Sequence, residues 1–169
     1  MKNQVCTSAN TSINSNNLPS AFRRFPAVGT VLDWGCGKFY EKTRNFVLLH
    51  GASLYYPYDP YNIPNIENIR TLNYGFAVDT AFCCNVLNVI DSDDIVIDTI
   101  KTICSRLVTG GIAYFQIYEG NKSGVGSVTK SDCYQRNAKT EDYLYFFQFL
   151  PIRFRFERHS NYIIVTRRK

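Results

Sequence analysis

The chain has little of the equipment that several common chemistries require. Among its 169 residues are one Met, one Trp and two His, and none of its six cysteines forms a Cys-x-x-Cys pair. Cys6, Cys36, Cys83, Cys84, Cys104 and Cys133 lack the paired spacing of a zinc site, so no metal is expected. Cys83 and Cys84 lie inside an apolar run, where thiols serve as small core side chains. His50 falls at a predicted helix end and His159 in a predicted terminal turn. No Ser-His or Cys-His arrangement can be located, and hydrolysis through a covalent intermediate has no support. No apolar stretch reaches the ~18 residues of a membrane span. The start lacks the charged-then-apolar pattern of a secretion signal. A cytoplasmic setting without membrane contact is therefore expected. There is no internal repeat.

What is present suits one folded domain: 45% apolar residues, 20% charged residues and a high aromatic content of 12 Tyr and 12 Phe. The formal net charge of +5 is weighted towards the C-terminal half, through Lys122, Lys130, Arg136 and Lys139 and then Arg153 to Lys169. Such a field attracts an anion; nucleic acid and a polyphosphate metabolite both stay open. Residues 1–20, rich in Asn, Ser and Thr, read as a flexible or lid-like lead-in to a domain over 21–169. Phe22, Arg23, Arg24 and Phe25 are an alternative means of closing a ligand site.

Alternating strand and helix signals predict an α/β protein with a mostly parallel sheet covered by helices on both faces. A first buried strand spans Thr30 to Asp33, a short helix Glu41 to Leu49 and a second strand Ser53 to Tyr58. A weaker third strand is expected near Ile69 to Leu72, and a fourth over Val78 to Cys84. The strongest helix runs from Asp93 to Leu107, with Val96, Ile100, Ile103 and Leu107 on one face and Gly110-Gly111 ending it. A fifth strand follows over Ile112 to Tyr118, and then a long polar segment over 120–139. Glu141 to Phe149 predicts a last helix. Arg153–Glu157 and Asn161–Thr166 predict a C-terminal antiparallel hairpin.

The sharpest motif is Val31-Leu32-Asp33-Trp34-Gly35-Cys36-Gly37. Glycines at a strand-to-helix crossing let the backbone approach a ligand that side chains would hold off. A dinucleotide fingerprint would place glycine at position 40, where this chain has Tyr40. That marks down a dehydrogenase, whose pyrophosphate needs the close approach. Asp59 stands 22 positions beyond Gly37, at the end of the second predicted strand. That offset suits a carboxylate receiving ribose hydroxyls, although Asp59 is also placed to act as a turn residue before Pro60.

On these residues the chain resembles the class I, Rossmann-like S-adenosylmethionine-dependent methyltransferases. The resemblance implies that Asp33, Gly35, Cys36, Gly37 and Asp59 hold S-adenosyl-L-methionine, the glycine turn at its methionine end and Asp59 at its ribose. Phe39 departs from the further glycine that the family often has there. The resemblance continues through Cys83 to Ile90 and Gly110 to Phe115. Over Tyr118–Gly126, Thr129-Lys130 and Tyr134–Thr140 it narrows to a small phage and bacterial branch. Together these matches span roughly residues 30–145.

Methyl transfer needs an aligned acceptor and an excluded solvent more than it needs a base. The acceptor is expected above the ends of the first, fourth and fifth strands. Asn85 is the first candidate, for the cofactor or the acceptor, with a turn-forming amide as its alternative role. Glu119, Lys122, Tyr134 and Arg136 complete the candidate catalytic set, with Thr129, Gln135 and Lys139 nearby in the same loop. Glu119 and Lys122 suit a polar acceptor or, alternatively, an external salt bridge, and the loop residues from Thr129 to Lys139 suit an anionic or nucleobase-containing acceptor. Asn85-Val86-Leu87-Asn88 lacks the paired prolines of exocyclic-amine DNA methylation, and no Pro-Cys pair offers a cytosine nucleophile. A noncatalytic module that binds S-adenosylmethionine or a protein partner is the competing reading. The sequence leaves the oligomeric state open.

Overall fold

A computed structural model describes residues 17–73 and 77–169. The expected lead-in therefore lies outside the described residues over 1–16. A short helix, α1 (Ser20–Arg24), precedes β1 (Gly29–Trp34), α2 (Tyr40–Leu49), β2 (Ala52–Tyr58), α3 (Asn65–Asn73) and β3 (Val78–Cys84). Then come α4 (Asp93–Ser105), β4 (Leu107–Gln116), the small strands β5 (Ser127–Lys130) and β6 (Cys133–Gln135), and α5 (Leu144–Phe147). The chain ends with β7 (Phe154–His159) and β8 (Tyr162–Arg167).

Six strands form one sheet in the order β2-β1-β3-β4-β8-β7. β2, β1, β3 and β4 run parallel, whereas β8 is antiparallel to both β4 and β7. The expected α/β architecture and C-terminal hairpin are both present. Successive side chains of a strand face opposite sides of the sheet, so a strand covered on both faces reads as a continuous apolar run. In β3, Ala81 and Cys83 join the core under α4 and α5, while Phe82 and Cys84 join the core under α1 and α2. α4 contributes Val96, Ile100, Ile103 and Cys104 to the first core, and Asp93 and Asp94 occupy its first turn, where the helix dipole favours negative charge. No helix among the described residues is long and apolar enough to cross a membrane.

Several boundaries differ from the sequence expectation. The third strand is instead the helix α3, whose buried residues are polar: Asn68 and Thr71. The Asn68 amide brackets the Asp59 backbone, accepting its N–H and donating to its carbonyl at 2.8 Å each, and Thr71 donates to the Pro57 carbonyl at 2.6 Å. These contacts tie the helix to the end of β2, which is left as the sheet edge. Gly110-Gly111 does not end α4; both glycines lie within β4. A Cβ at Gly111 would stand 3.1 Å from the carbonyls of Val78 and Asp79, and the β3–β4 register shifts between Val78 and Thr80. Gly111 is thus a close-approach site at a bulge. The polar segment over 120–139 contains the β5–β6 hairpin. The last helix is broken into a 3-10 turn, Thr140–Tyr143, and the short α5.

Candidate functional site

The C-terminal ends of β1, β3 and β4 meet at one edge of the sheet. There β1 delivers Asp33 into the interior, 3% exposed, where its Oδ2 accepts a 2.6 Å hydrogen bond from the Tyr55 hydroxyl. Burial pushes the Asp33 carboxyl up to about 7; the Tyr55 hydrogen bond opposes the shift and the charge of Asp59 adds to it. The chain then turns at Gly35 (φ +77°) and Gly37 (φ +69°), left-handed conformations that favour glycine. The N–H groups of Gly35 and Cys36 both donate to the Tyr58 carbonyl, at 2.6 and 3.2 Å. The Gly37 N–H donates to Asp59 Oδ2 at 3.0 Å. The two expected halves of a nucleoside site are therefore in direct contact.

Asp59 is buried and well supplied with donors. Its Oδ1 accepts the backbone N–H groups of Tyr61 and Asn62 at 3.0 Å, and the Asn62 side-chain amide reaches both oxygens at 3.1 Å. It thus shapes the turn after β2 as well as facing the glycine loop. The Cys36 thiol is pushed far above the usual range by burial and by Asp33 and Asp59, which leaves it a poor nucleophile. Asp33, Gly35, Cys36, Thr43, Cys84 and Asn85 border a cavity of about 180 Å³, bounded on its other side by residues 17–19.

A second cavity, of about 400 Å³, lies on the other side of Asn85. It is lined by Asn85, Asn88 and Tyr118 from the sheet side and by Thr129, Lys130, Cys133 and Tyr134 from the β5–β6 hairpin, among others. Gly126 makes room for the hairpin to pack, since a Cβ there would run into the Tyr134 hydroxyl. Asn85 takes a left-handed conformation (φ +59°), and its N–H donates to the Gln116 carbonyl at 2.8 Å. Its Oδ1 is buried with no hydrogen-bond partner.

Of the candidate catalytic residues, Asn85 and Tyr134 line this larger cavity, whereas Glu119, Lys122 and Arg136 face other partners. Glu119 accepts from the Thr140 N–H and hydroxyl at 2.7 and 2.8 Å and pairs with Lys122 at 2.9 Å. The Thr140 N–H, the Lys122 contact and the Thr140 hydroxyl hold its carboxyl down at about 2. Arg136 donates through Nε to the Ile90 carbonyl at 2.5 Å and through a terminal nitrogen to Asp93 at 2.7 Å. It lies over the Phe146 ring and clamps the 118–139 segment to the start of α4. Glu119 acts as a latch at the other end of that segment. Glu119→Ala is expected to lower stability by roughly 1–3 kcal/mol, because two Thr140 donors lose their acceptor. A carboxyl held below its unfolded value contributes stability above the ordinary carboxylate range and loses it as pH falls towards 2. Urea titrations at pH 7 and pH 3 should show the deficit of the variant shrinking in acid.

The sequence reading passed over Asn88, Tyr118 and Tyr55. Asn88 is 2% exposed and donates through Nδ2 to Gln135 Oε1 at 3.0 Å, and its backbone carbonyl accepts the Arg136 N–H at 2.9 Å. The signal available was an amide inside the apolar run Val86–Ile90. Nothing local marks Tyr55 as the partner of Asp33. Among the described residues no cluster of His, Cys, Asp and Glu is arranged to hold a metal ion.

No family model matches the chain, and no curated protein matches it in sequence. Solved structures do match by shape. One is the 1,6-didemethyltoxoflavin N1-methyltransferase of Burkholderia thailandensis, with a TM-score of 0.62 at 16% identity over 96% of this chain and 84% of that one. A sugar N-methyltransferase of Streptoalloteichus gives 0.58 at 12% identity over 89% and 84% of the two chains. An S-adenosylmethionine-dependent methyltransferase of Clostridium acetobutylicum gives 0.57 at 12% identity over 88% and 87%. The chain therefore has the Rossmann-like fold of these methyltransferases.

Proposed function

We propose that the protein is an S-adenosylmethionine-dependent methyltransferase whose acceptor enters the 400 Å³ cavity. The observation that carries this reading is the position of Asn85. It borders both the glycine-loop cavity and the larger one, so the two chambers abut at a single side chain. The shape similarity to methyltransferases and the glycine motif support it.

The residues present suit the cofactor. The left-handed turn at Gly35, a buried carboxylate at Asp33 and the Asn85 side chain border the smaller cavity. Asp33 and the Gly35–Gly37 turn would hold the methionine end, where a cationic amine suits a buried carboxylate. Asp59 would hold the ribose, exchanging the Asn62 side-chain amide for sugar hydroxyls. S-adenosylmethionine would supply an electrophilic methyl group. The chain's own contribution is alignment: Asn85 orients the acceptor, and the β5–β6 hairpin, clamped by Arg136 and latched by Glu119, keeps water from the junction. The resemblance over residues 118–140 supports a place in the phage and bacterial branch.

Calorimetry with S-adenosylhomocysteine tests the reading. Wild-type protein should bind it, and Asp59→Ala should weaken binding by roughly tenfold or more through loss of the ribose acceptors. Unchanged affinity in the variant would remove Asp59 from the site. No binding by the wild type would remove the cofactor.

A further inference from the structure

The charge of the chain is unevenly spread. Residues 153–169 hold six of the 19 cations, Arg153, Arg155, Arg158, Arg167, Arg168 and Lys169, and one of the 14 acids, Glu157. They carry the whole formal net charge of +5, and the rest of the chain balances to zero. Five of the six are arginines, whose planar fork matches phosphate oxygens more closely than a lysine ammonium does.

Strand alternation sorts part of this charge onto one face. In the β7–β8 hairpin, Phe154, Phe156, Ile163 and Val165 pack into or against the core under α4 and α5. The residues between them face the other way, with Arg155 opposite Thr166, Glu157 opposite Ile164 and His159 opposite Tyr162. Phe25 packs edge-on to the Tyr162 ring at 5.0 Å. Beyond that contact the face is bare. Arg155, Glu157, Ile164, Thr166 and Arg168 border an open groove of about 480 Å³, and the Arg155 and Glu157 side chains are 70% and 62% exposed.

A residue remote in sequence joins the same face. Arg24, at the end of α1, donates to His159 Nε2 at 2.9 Å, and its guanidinium lies 5.6 Å from the centre of the Tyr162 ring. Arg24 at one end and Arg155 and Arg168 at the other thus bracket a tract about 13 Å long, the rise of four strand residues. Glu157 meets Arg155 at 3.7 Å, an exposed pair of little worth that a phosphate can displace. Among the described residues no carboxylate pairs with Arg24 or Arg168.

Charge decides between occupants. A second copy docking face to face would bring the same cations together. Residues 1–16 contain no Asp or Glu and offer no complement. A membrane surface is flat and meets the rim of a groove rather than its floor of Ile164 and Thr166. A linear polyanion fits both the shape and the sign. No aromatic ring lines the groove, so nothing in it stacks on a base.

We propose that this face of the β7–β8 hairpin docks single-stranded nucleic acid, held by its phosphates across Arg24, Arg155 and Arg168 without regard to base sequence. The surface is separate from the cofactor cavity and stands independently of the methyl-transfer reading.

Fluorescence anisotropy of a labelled oligothymidylate, titrated with the protein between about 20 and 100 mM salt, tests the proposal. Three phosphate contacts give a slope of log affinity against log salt of about −2. Arg155→Gln/Arg168→Gln should reduce the slope to about −0.7 and weaken binding at the lowest salt by roughly tenfold or more. Arg44→Gln/Arg70→Gln removes the same charge from ion pairs on α2 and α3 and should leave the slope unchanged. A mixed-sequence strand of equal length should bind within about threefold of the oligothymidylate. No binding at the lowest salt overturns the proposal, as do equal slopes in the two double variants. Tighter capture by phosphatidylserine vesicles than by the oligonucleotide overturns it in favour of a membrane, and salt-reversible dimerisation lost in Arg155→Gln/Arg168→Gln overturns it in favour of a second copy.

Discussion

Gly35→Ala is expected to abolish cofactor-site binding in ordinary titrations, with S-adenosylhomocysteine affinity falling by about 30- to 5000-fold. Two costs combine. A side chain at φ +77° sits in the left-handed region, which disfavours L-residues by about 1–2 kcal/mol. The new Cβ would also collide with Val86 Cγ2, and Val86 packs against the main core, so it cannot simply swing aside. Overpacking of that kind costs about 1–3 kcal/mol. Val86 directly follows Asn85, so relief of the clash moves the residue that joins the two cavities.

Two further variants separate strain from collision. Gly37 has a similar conformation, φ +69°, but open space where a Cβ would lie. Gly37→Ala should therefore bear only the backbone cost, an affinity loss of roughly tenfold. Val86→Ala in the Gly35→Ala background removes the colliding methyl and should restore part of the affinity, a coupling that a double-mutant cycle reads directly. If Gly35→Ala and Gly37→Ala behave alike, the close approach to Val86 plays no part in the site.

The contrast between these glycines shows which features the sequence makes legible. A strand running into Gly35-Cys36-Gly37, with Asp59 one β-α-β unit further on, is a local pattern set by backbone sterics. It predicts the loop and puts Asp59 at the neighbouring strand end, while the Gly37–Asp59 hydrogen bond emerges only in the structure. The periodic runs of β1, β3 and α4 are legible for the same reason, because burial on both sheet faces or on one helix face leaves a period. α3 is not: Ile66, Ile69 and Leu72 are exposed, and the helix is held by Asn68 and Thr71. An apolar reading of that segment follows the wrong residues. The acceptor side is least legible, because its polar side chains take their directions from distant partners. Arg136 is turned by Ile90 and Asp93, and Asn88 acquires its orientation from Gln135, 47 positions later. Residue type alone makes Arg136 a substrate ligand and assigns Asn88 no role. The structure instead makes the first a clamp and brings the second to the cavity wall.

Asp33→Asn is expected to stabilise the ligand-free protein above pH 7 by roughly 3–4 kcal/mol, which separates its role from that of a structural carboxylate. The Asp33 carboxyl titrates at about 7 in the folded chain against an ordinary 3.8, chiefly because burial disfavours its charge. Between those values the native state keeps a proton that the unfolded chain has lost. Stability is thus greatest below the unfolded value and declines as pH rises through the folded one. Asparagine is neutral at every pH and can still accept the Tyr55 hydroxyl, so it removes the decline while preserving the 2.6 Å contact. Urea titrations between pH 4 and pH 8 should show a falling curve for the wild type and a flatter one for the variant, the difference cancelling groups common to both. A cationic ligand beside Asp33 favours the ionised carboxylate. Binding of S-adenosylmethionine below pH 7 should therefore release a proton, detectable as a dependence of the measured heat on the buffer's ionisation enthalpy. In Asp33→Asn that dependence should vanish and affinity should fall. Parallel stability curves for the two proteins would mean that Asp33 is already ionised in the folded chain, with a counter-charge supplied from elsewhere.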